Sequence, residues 1–174
     1  MKARLETIAN LTIIVTGITM MVLVISRVVG DQERTPLPLR QYQVGEKLAA
    51  GFPVDFSQSP QTLLLMLSSK CQYCSESLPF YHDVLSAQQA NPRVTRLVAL
   101  GTEDKASLAQ YLTQHGLTFD DVVSVSLDKI KLRGTPTLVL VDRLGTVKAV
   151  WPGFITDDQR KQEVLKAMAV PGPA

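Results

Sequence analysis

The chain has 174 residues, of which 45% are hydrophobic and 20% are charged. This length and composition suit one folded domain with a short appendage and exclude a largely disordered protein. The formal net charge of +2 comes from the first thirty residues, so the rest of the chain is neutral. A neutral body without a basic stripe excludes nucleic acid as an expected partner.

The chain begins with a long uncharged segment, residues 7–26, which is rich in Ile, Val, Leu and Met. A helix of about twenty such residues is long enough to cross a hydrocarbon core of about 30 Å. We predict a transmembrane anchor within residues 1–30; a cleaved signal peptide is the alternative, although the segment offers no small-residue processing site. Lys2 and Arg4 favour a cytoplasmic amino terminus, which places the body on the periplasmic side of the cell membrane.

A polar linker is predicted over residues 31–43, where two prolines indicate a semi-extended spacer. The folded body is predicted to span residues 44–174. Its first element, residues 62–67 (TLLLML), is typical of a strand buried on both faces. A helix follows over residues 74–89, and Pro79 within it predicts a kink.

The remaining elements follow at short intervals. Strands are predicted at 94–100, 122–127, 137–141 and 146–151, and the last two form a hairpin. Helices are predicted at 104–115, ending at Gly116, and at 157–169, capped by Thr156. The order β-α-β-α-β-β-β-α predicts an α/β fold, with helices on the faces of a sheet.

The only two cysteines form the motif Cys71-Gln72-Tyr73-Cys74, directly after the buried strand and at the start of a helix. Unpaired amide groups and the helix dipole at that end favour a thiolate, so Cys71 is the candidate nucleophile. Cys74, one turn later, can then resolve a mixed disulfide with Cys71. Lys70 adds positive charge beside the motif.

Half of a zinc site is the competing interpretation of the two thiols. Tetrahedral zinc requires four ligands, and beyond the thiols the chain offers only His82 and His115 as histidine ligands. We therefore expect no metal. Pro136 stands just before the strand at 137–141, where a cis bond would turn the chain sharply, although an ordinary proline at a strand start is the alternative.

With the CQYC motif and the segment RGTPT (133–137) both present, the chain resembles the thioredoxin superfamily, specifically its membrane-anchored TlpA/ResA-like branch. Pro79, five residues beyond Cys74, and the WPG sequence at 151–153 add to the resemblance, which covers about residues 44–170. The resemblance implies a thioredoxin-like fold, a central mixed sheet flanked by helices. It also implies a cis-proline at 136 and a substrate groove formed by Thr135, Pro136 and Gly153.

The resemblance further implies an enzyme, a thiol-disulfide oxidoreductase that exchanges disulfides with cysteine-containing extracytoplasmic proteins and with a redox partner. It needs no cofactor beyond the redox-active disulfide between Cys71 and Cys74. The alternative is a binding or assembly module that uses the thiols to hold copper or to dock a partner.

Several positions depart from the family pattern. Lys70 and Tyr73 replace a tryptophan and a proline found in many relatives, and we assign both of them, together with Gln72, to tuning the pKa of the cysteine pair. Two acidic positions are also changed: Leu65 replaces the buried acid of thioredoxins, and Ser77 the glutamate of ResA-like proteins. Apart from Glu76, a weak candidate, the sequence names no group that handles the proton of the second cysteine.

Overall fold

The computed structural model describes residues 14–22, 41–131 and 134–170. The chain divides into two compact units, Met1–Pro38 and Leu39–Ala174. In the first unit, residues 14–22 form a helix, α1, whose side chains are exposed. Within the described ranges no helix has both the length and the apolar character needed to span a membrane. Residues 1–13 and 23–30 of the predicted anchor lie outside the described residues.

The second unit contains the strands and helices that the sequence predicts, in the predicted order. The strands are β1 (Gln61–Met66), β2 (Thr95–Gly101), β3 (Asp121–Ser124), β4 (Thr137–Asp142) and β5 (Val147–Pro152). The helices are α2 (Gln72–Glu76), α3 (Leu78–Ala90), α4 (Lys105–Gln114) and α5 (Asp158–Ala169), and two short 3-10 turns lie at Phe56–Gln58 and Leu127–Lys129.

The five strands form one mixed sheet in the order β3-β2-β1-β4-β5. β1 pairs in parallel with β2, and β2 with β3, whereas β4 is antiparallel to both β1 and β5. All six residues of β1 are buried, as expected for a central strand with both faces covered. Met66 at the end of β1 pairs with Thr137 at the start of β4. This pairing brings the loop after β1 next to the segment that enters β4.

The two faces of the sheet belong to two separate hydrophobic clusters. Leu63 and Leu65 of β1 pack with buried side chains of α3, α4 and α5. The steps from β1 to β2 and from β2 to β3 run in the same direction across the sheet, so right-handed crossovers place α3 and α4 on the same face. The helices thus flank the sheet, but those three lie together on one side.

The other face of the sheet is covered largely by irregular chain. Leu64 and Met66 pack there against Tyr42 and other apolar side chains of the segment before β1. Tyr42 falls within the predicted linker, yet it is buried, and its main-chain N–H bonds to the Lys131 carbonyl. The packed structure therefore includes a residue that composition alone assigns to the spacer.

Local helix signals account for most of the helix boundaries. The predicted kink is confirmed as a break at Ser77 between α2 and α3. Pro79 lies in the first turn of α3, where a missing N–H removes no helical hydrogen bond. The predicted cap of the last helix, Thr156, is wrong by one residue. Asp157 is the N-cap, because its carboxylate accepts hydrogen bonds from the main chain at 159 and 160.

Candidate active site

The two cysteine side chains lie at the amino-terminal end of α2. Cys71 is the N-cap residue, and its Sγ accepts a hydrogen bond from the main-chain N–H of Cys74 at 3.2 Å. Cys71 is half-buried, whereas Cys74 is 0% exposed, and both are free thiols. One sulfur is therefore accessible at the helix terminus, and the other lies behind it in the core.

The surroundings separate the pKa values of the two thiols. Burial raises the pKa of Cys71, but hydrogen bonds from the Cys74 thiol, from the Thr135 side chain and from the main chain of Cys74 and Tyr73 outweigh it and hold that pKa below its usual value. Burial, followed by the hydrogen bond to Cys71, raises the pKa of Cys74 to about 12. The accessible sulfur is thus the one that ionises first.

The segment that enters β4 completes the site on the other side of the sulfur. The bond between Thr135 and Pro136 is cis. The Thr135 carbonyl oxygen lies 3.4 Å from Cys71 Sγ, close enough to accept a hydrogen bond from the thiol. The pairing of β1 with β4 accounts for this contact between residues 64 positions apart in the sequence.

A mostly apolar groove of about 250 Å³ runs beside this contact. Its walls are residues 134–137 together with Pro152 and Gly153. Gly153 has a φ of +80°, a conformation that suits glycine, and its N–H donates to the Pro136 carbonyl at 2.8 Å. The three predicted substrate-binding residues, Thr135, Pro136 and Gly153, are therefore neighbours along one groove.

The residues assigned to pKa tuning have different surroundings. Tyr73 contributes through its main-chain N–H, while its side chain is 57% exposed and stacks on Phe154 with ring centroids 6.0 Å apart. The Gln72 side chain donates to Glu76 at 2.8 Å. Lys70 is exposed and is not among the groups that act most strongly on the Cys71 pKa.

The structure adds Glu103, which the sequence analysis did not single out. Its carboxylate accepts two hydrogen bonds from Ser69, one from the main-chain N–H at 2.7 Å and one from the hydroxyl at 2.5 Å. Ser69 belongs to the loop that carries Cys71, whose own N–H bonds to the Ser68 carbonyl. Glu103 comes from the loop after β2, so no local sequence signal links it to the cysteines.

The two histidines lie on exposed helical positions. His82 is on α3, and His115 ends α4 with its ring edge-on to Tyr111, the centroids 4.6 Å apart. Among residues 14–22, 41–131 and 134–170, no three His, Cys, Asp or Glu side chains are grouped so that they could hold a metal ion.

Several solved structures share the fold of this chain. A protein assigned as the thiol:disulfide interchange protein DsbE of Chlorobium tepidum is 21% identical, with a TM-score of 0.55, over 74% of this chain and 99% of its own. The thioredoxin domain of a thiol-disulfide oxidoreductase from Bacteroides vulgatus is 15% identical, with a TM-score of 0.56, over 72% of this chain and 98% of its own.

A third structure, of a protein assigned as a disulfide isomerase from Bacteroides thetaiotaomicron, is 16% identical, with a TM-score of 0.56, over 71% of this chain and 86% of its own. A scan against protein-family models and a search of curated proteins give no match. The structural likeness establishes a thioredoxin-like α/β fold, which the sequence resemblance predicted.

Proposed function

We propose that this chain, which has a thioredoxin-like fold, is a thiol-disulfide oxidoreductase that acts on cysteine-containing proteins. One observation carries the proposal. The Cys71 sulfur is accessible at a helix terminus, the Cys74 thiol hydrogen-bonds to it from behind, and the Thr135 carbonyl lies 3.4 Å away. A structural or inert cysteine pair would not require one accessible sulfur with a lowered pKa beside an apolar groove.

The first chemical step is attack by the Cys71 thiolate on a substrate disulfide. A bond forms between Cys71 Sγ and one substrate sulfur, and the other substrate sulfur leaves as a thiolate. The lowered pKa of Cys71 increases the fraction of protein that carries the nucleophile at neutral pH. The hydrogen bond from the Cys74 N–H orients this sulfur and stabilises its charge.

The second step uses Cys74 to release the substrate. Its sulfur attacks Cys71 Sγ, the Cys71–Cys74 disulfide forms, and the substrate leaves as a dithiol. A redox partner that supplies two electrons then returns the pair to the free thiols. Run in reverse, the same steps oxidise a substrate, because the exchange involves the same bonds in both directions.

Thr135, Pro136 and Gly153 are proposed to bind the substrate segment next to its reacting cysteine. Support comes from the groove that they line and from its position beside Cys71. The exposed, stacked rings of Tyr73 and Phe154 add apolar surface. Such a surface suits an unfolded or extended protein segment better than a small charged thiol compound.

The extracytoplasmic, membrane-anchored location is also proposed, on sequence features alone. The uncharged run at 7–26 follows Lys2 and Arg4, and a disulfide-exchange protein meets disulfide substrates outside the cytoplasm. Protease added to sealed spheroplasts tests this placement. Digestion of the body without membrane lysis is expected, and full protection until lysis would contradict the proposed orientation.

The central test of the activity compares the full chain with Cys71→Ser. The wild-type chain is expected to reduce a disulfide-bonded peptide with a dithiol as the electron source, and Cys71→Ser is expected to abolish this turnover. Ser75→Ala is a matched control, because it alters an exposed residue of the same helix and leaves both sulfurs in place.

Two results would contradict the proposal. In the first, Cys71→Ser exchanges disulfides as fast as the wild type. In the second, the wild type binds copper stoichiometrically and has negligible exchange activity, which would favour the binding or assembly module.

A further inference from the structure

The hydroxyl of Tyr81 is a buried polar group without a partner. The Tyr81 side chain is 1% exposed, and its hydroxyl makes no hydrogen bond to any residue that the structure describes. Leaving a buried hydroxyl unpaired is unfavourable, so buried polar groups are nearly always hydrogen-bonded. An exception next to a reactive pair therefore requires an explanation.

Helix periodicity places Tyr81 on the same side of the α2–α3 segment as Cys74. Seven residues separate them, which is about two helical turns, so both lie on the inner side of the α2–α3 segment. Both belong to the same buried cluster. A helical side chain leans toward the amino terminus and covers the preceding turn, so the tyrosine ring extends back toward the cysteine.

Ser77 connects the two residues through the main chain but does not pair with the tyrosine. The Ser77 N–H bonds to the Cys74 carbonyl at 3.2 Å, and the Tyr81 N–H bonds to the Ser77 carbonyl at 3.1 Å. The Ser77 hydroxyl donates its proton to the Tyr73 carbonyl at 2.7 Å. The Ser77 oxygen could also accept a hydrogen bond, but the Tyr81 hydroxyl has no hydrogen-bond partner among the described residues, so its proton is available to another acceptor.

The electrostatic surroundings of Tyr81 point to the cysteines. Burial raises its pKa, the Ser77 hydroxyl partly offsets this increase, and charge on Cys74, Cys71 and Tyr111 would raise the pKa further. The titratable groups that act on the hydroxyl are thus the two thiols at the start of α2 and one tyrosine from α4. Tyr81 keeps its proton at neutral pH, so its hydroxyl can donate a hydrogen bond.

We propose that the Tyr81 hydroxyl donates a hydrogen bond to Cys74 Sγ when that sulfur becomes a thiolate during substrate release. This proposal rests on the proposed function. A neutral thiol is a weak acceptor, so the hydroxyl has no good partner in the dithiol state, whereas a thiolate is a strong one. The unpaired hydroxyl is therefore a donor in place before the charge develops.

During substrate release one S–S bond forms as another breaks. Cys74 loses its proton, its sulfur attacks Cys71 Sγ, and the bond between Cys71 and the substrate sulfur breaks. The departing substrate thiolate takes up one proton, so the net transfer is from Cys74 to the substrate. Tyr81 retains its own proton throughout and lowers the free energy of the intermediate thiolate. This assigns a residue to the proton handling that the sequence, with Leu65 and Ser77 at the two acidic positions, left open.

Tyr81→Phe in the full chain tests the proposal, because it removes only the hydroxyl. Enzyme in excess is mixed with a peptide containing one disulfide, the reaction is quenched with acid, and mixed disulfide and free peptide dithiol are quantified by mass spectrometry. We expect release to slow by about tenfold or more, as for loss of a hydrogen bond to a charged group. The pH at which release reaches half its maximal rate should also rise.

Two controls separate this role from a structural one. In a Cys74→Ala background, Tyr81→Phe should leave the rate of mixed-disulfide formation unchanged, because the Cys74 sulfur, the proposed acceptor of the Tyr81 hydrogen bond, is absent. Tyr42→Phe changes another buried tyrosine, in the cluster on the opposite face of the sheet, and should leave release unchanged. Stability of Tyr81→Phe should equal or exceed that of the wild type, because an unpaired buried hydroxyl is lost.

Release by Tyr81→Phe at the wild-type rate would overturn the proposal. So would an equal slowing of mixed-disulfide formation in the Cys74→Ala background, since that result indicates a general disturbance of the site. If Cys74→Ala forms no mixed disulfide and the wild type releases no peptide dithiol, the proposed function fails, and the role of Tyr81 falls with it. That outcome is visible before any tyrosine variant is made.

Discussion

Replacing Glu103 with alanine should weaken both the stability and the activity of the protein. The Glu103 carboxylate holds the Ser69 main-chain N–H at 2.7 Å and the Ser69 hydroxyl at 2.5 Å. A hydrogen bond to a charged group contributes about 1.5–3 kcal/mol, and the partial exposure of both residues favours the lower end because water can replace the lost acceptor. For the two bonds together we expect a loss of about 3 kcal/mol in the free energy of unfolding.

The same substitution frees the loop that positions Cys71. Small displacements of a reacting group cost large factors in rate, so we expect disulfide exchange to fall by roughly tenfold. Urea denaturation of the reduced full chain measures the stability, and turnover of a disulfide-bonded peptide measures the activity. Glu103→Gln keeps one acceptor oxygen and gains a donor, so its stability and its exchange rate should be closer to those of the wild type than to those of Glu103→Ala.

Asp104→Ala is the matched control for Glu103→Ala. Asp104 is the neighbouring acid and caps α4, accepting from the Ser107 N–H at 2.8 Å. Loss of this helix cap should lower the stability and leave exchange unchanged. Equal exchange rates for Glu103→Ala and Asp104→Ala would refute the positioning role of Glu103.

Three further outcomes follow from the structure. Iodoacetamide at neutral pH should label Cys71 and spare Cys74 in the folded reduced protein, because the pKa of Cys71 lies below its usual value and that of Cys74 is about 12. Peptide mass spectrometry measures the labelling of each cysteine. The folded state binds the Cys74 proton more tightly than the unfolded chain does, so the stability of the reduced protein should fall as the pH rises from about 9 to about 12. Urea denaturation at several pH values should show a larger fall for the wild type than for Cys74→Ala. Gln61→Leu should cost about 1–3 kcal/mol in urea denaturation without slowing exchange, because the Gln61 amide bonds Thr95 and the end of α5 far from the thiols.

Local patterns predicted most of the fold. An all-apolar run identified β1, and Pro79 identified the break between α2 and α3. The Thr156 cap was wrong because two adjacent residues are both good caps, and only the observed hydrogen bonds distinguish Asp157. Tyr42 could not be placed from composition, because its burial depends on a sheet face formed by residues far along the chain.

The candidate site was predictable where its residues are adjacent in sequence or form a motif. The spacing of Cys71 and Cys74 indicated their geometry, and the resemblance indicated that Pro136 lies beside them. Glu103 and Tyr81 were not predictable in the same way. The first reaches the site from another loop, and a tyrosine within an amphipathic helix is indistinguishable from an ordinary core residue until its hydroxyl is found unpaired.

The most direct measurement is the identity of the cysteine that becomes bonded to the substrate. Cys74→Ala and Cys71→Ser, each in the full chain, are incubated with a disulfide-bonded peptide, quenched with acid and examined by intact-mass spectrometry. We expect a stable mixed disulfide on Cys71 in the first variant and almost none in the second. Equal amounts of adduct in both variants, or adduct only in Cys71→Ser, would contradict the assignment of Cys71 as the nucleophile.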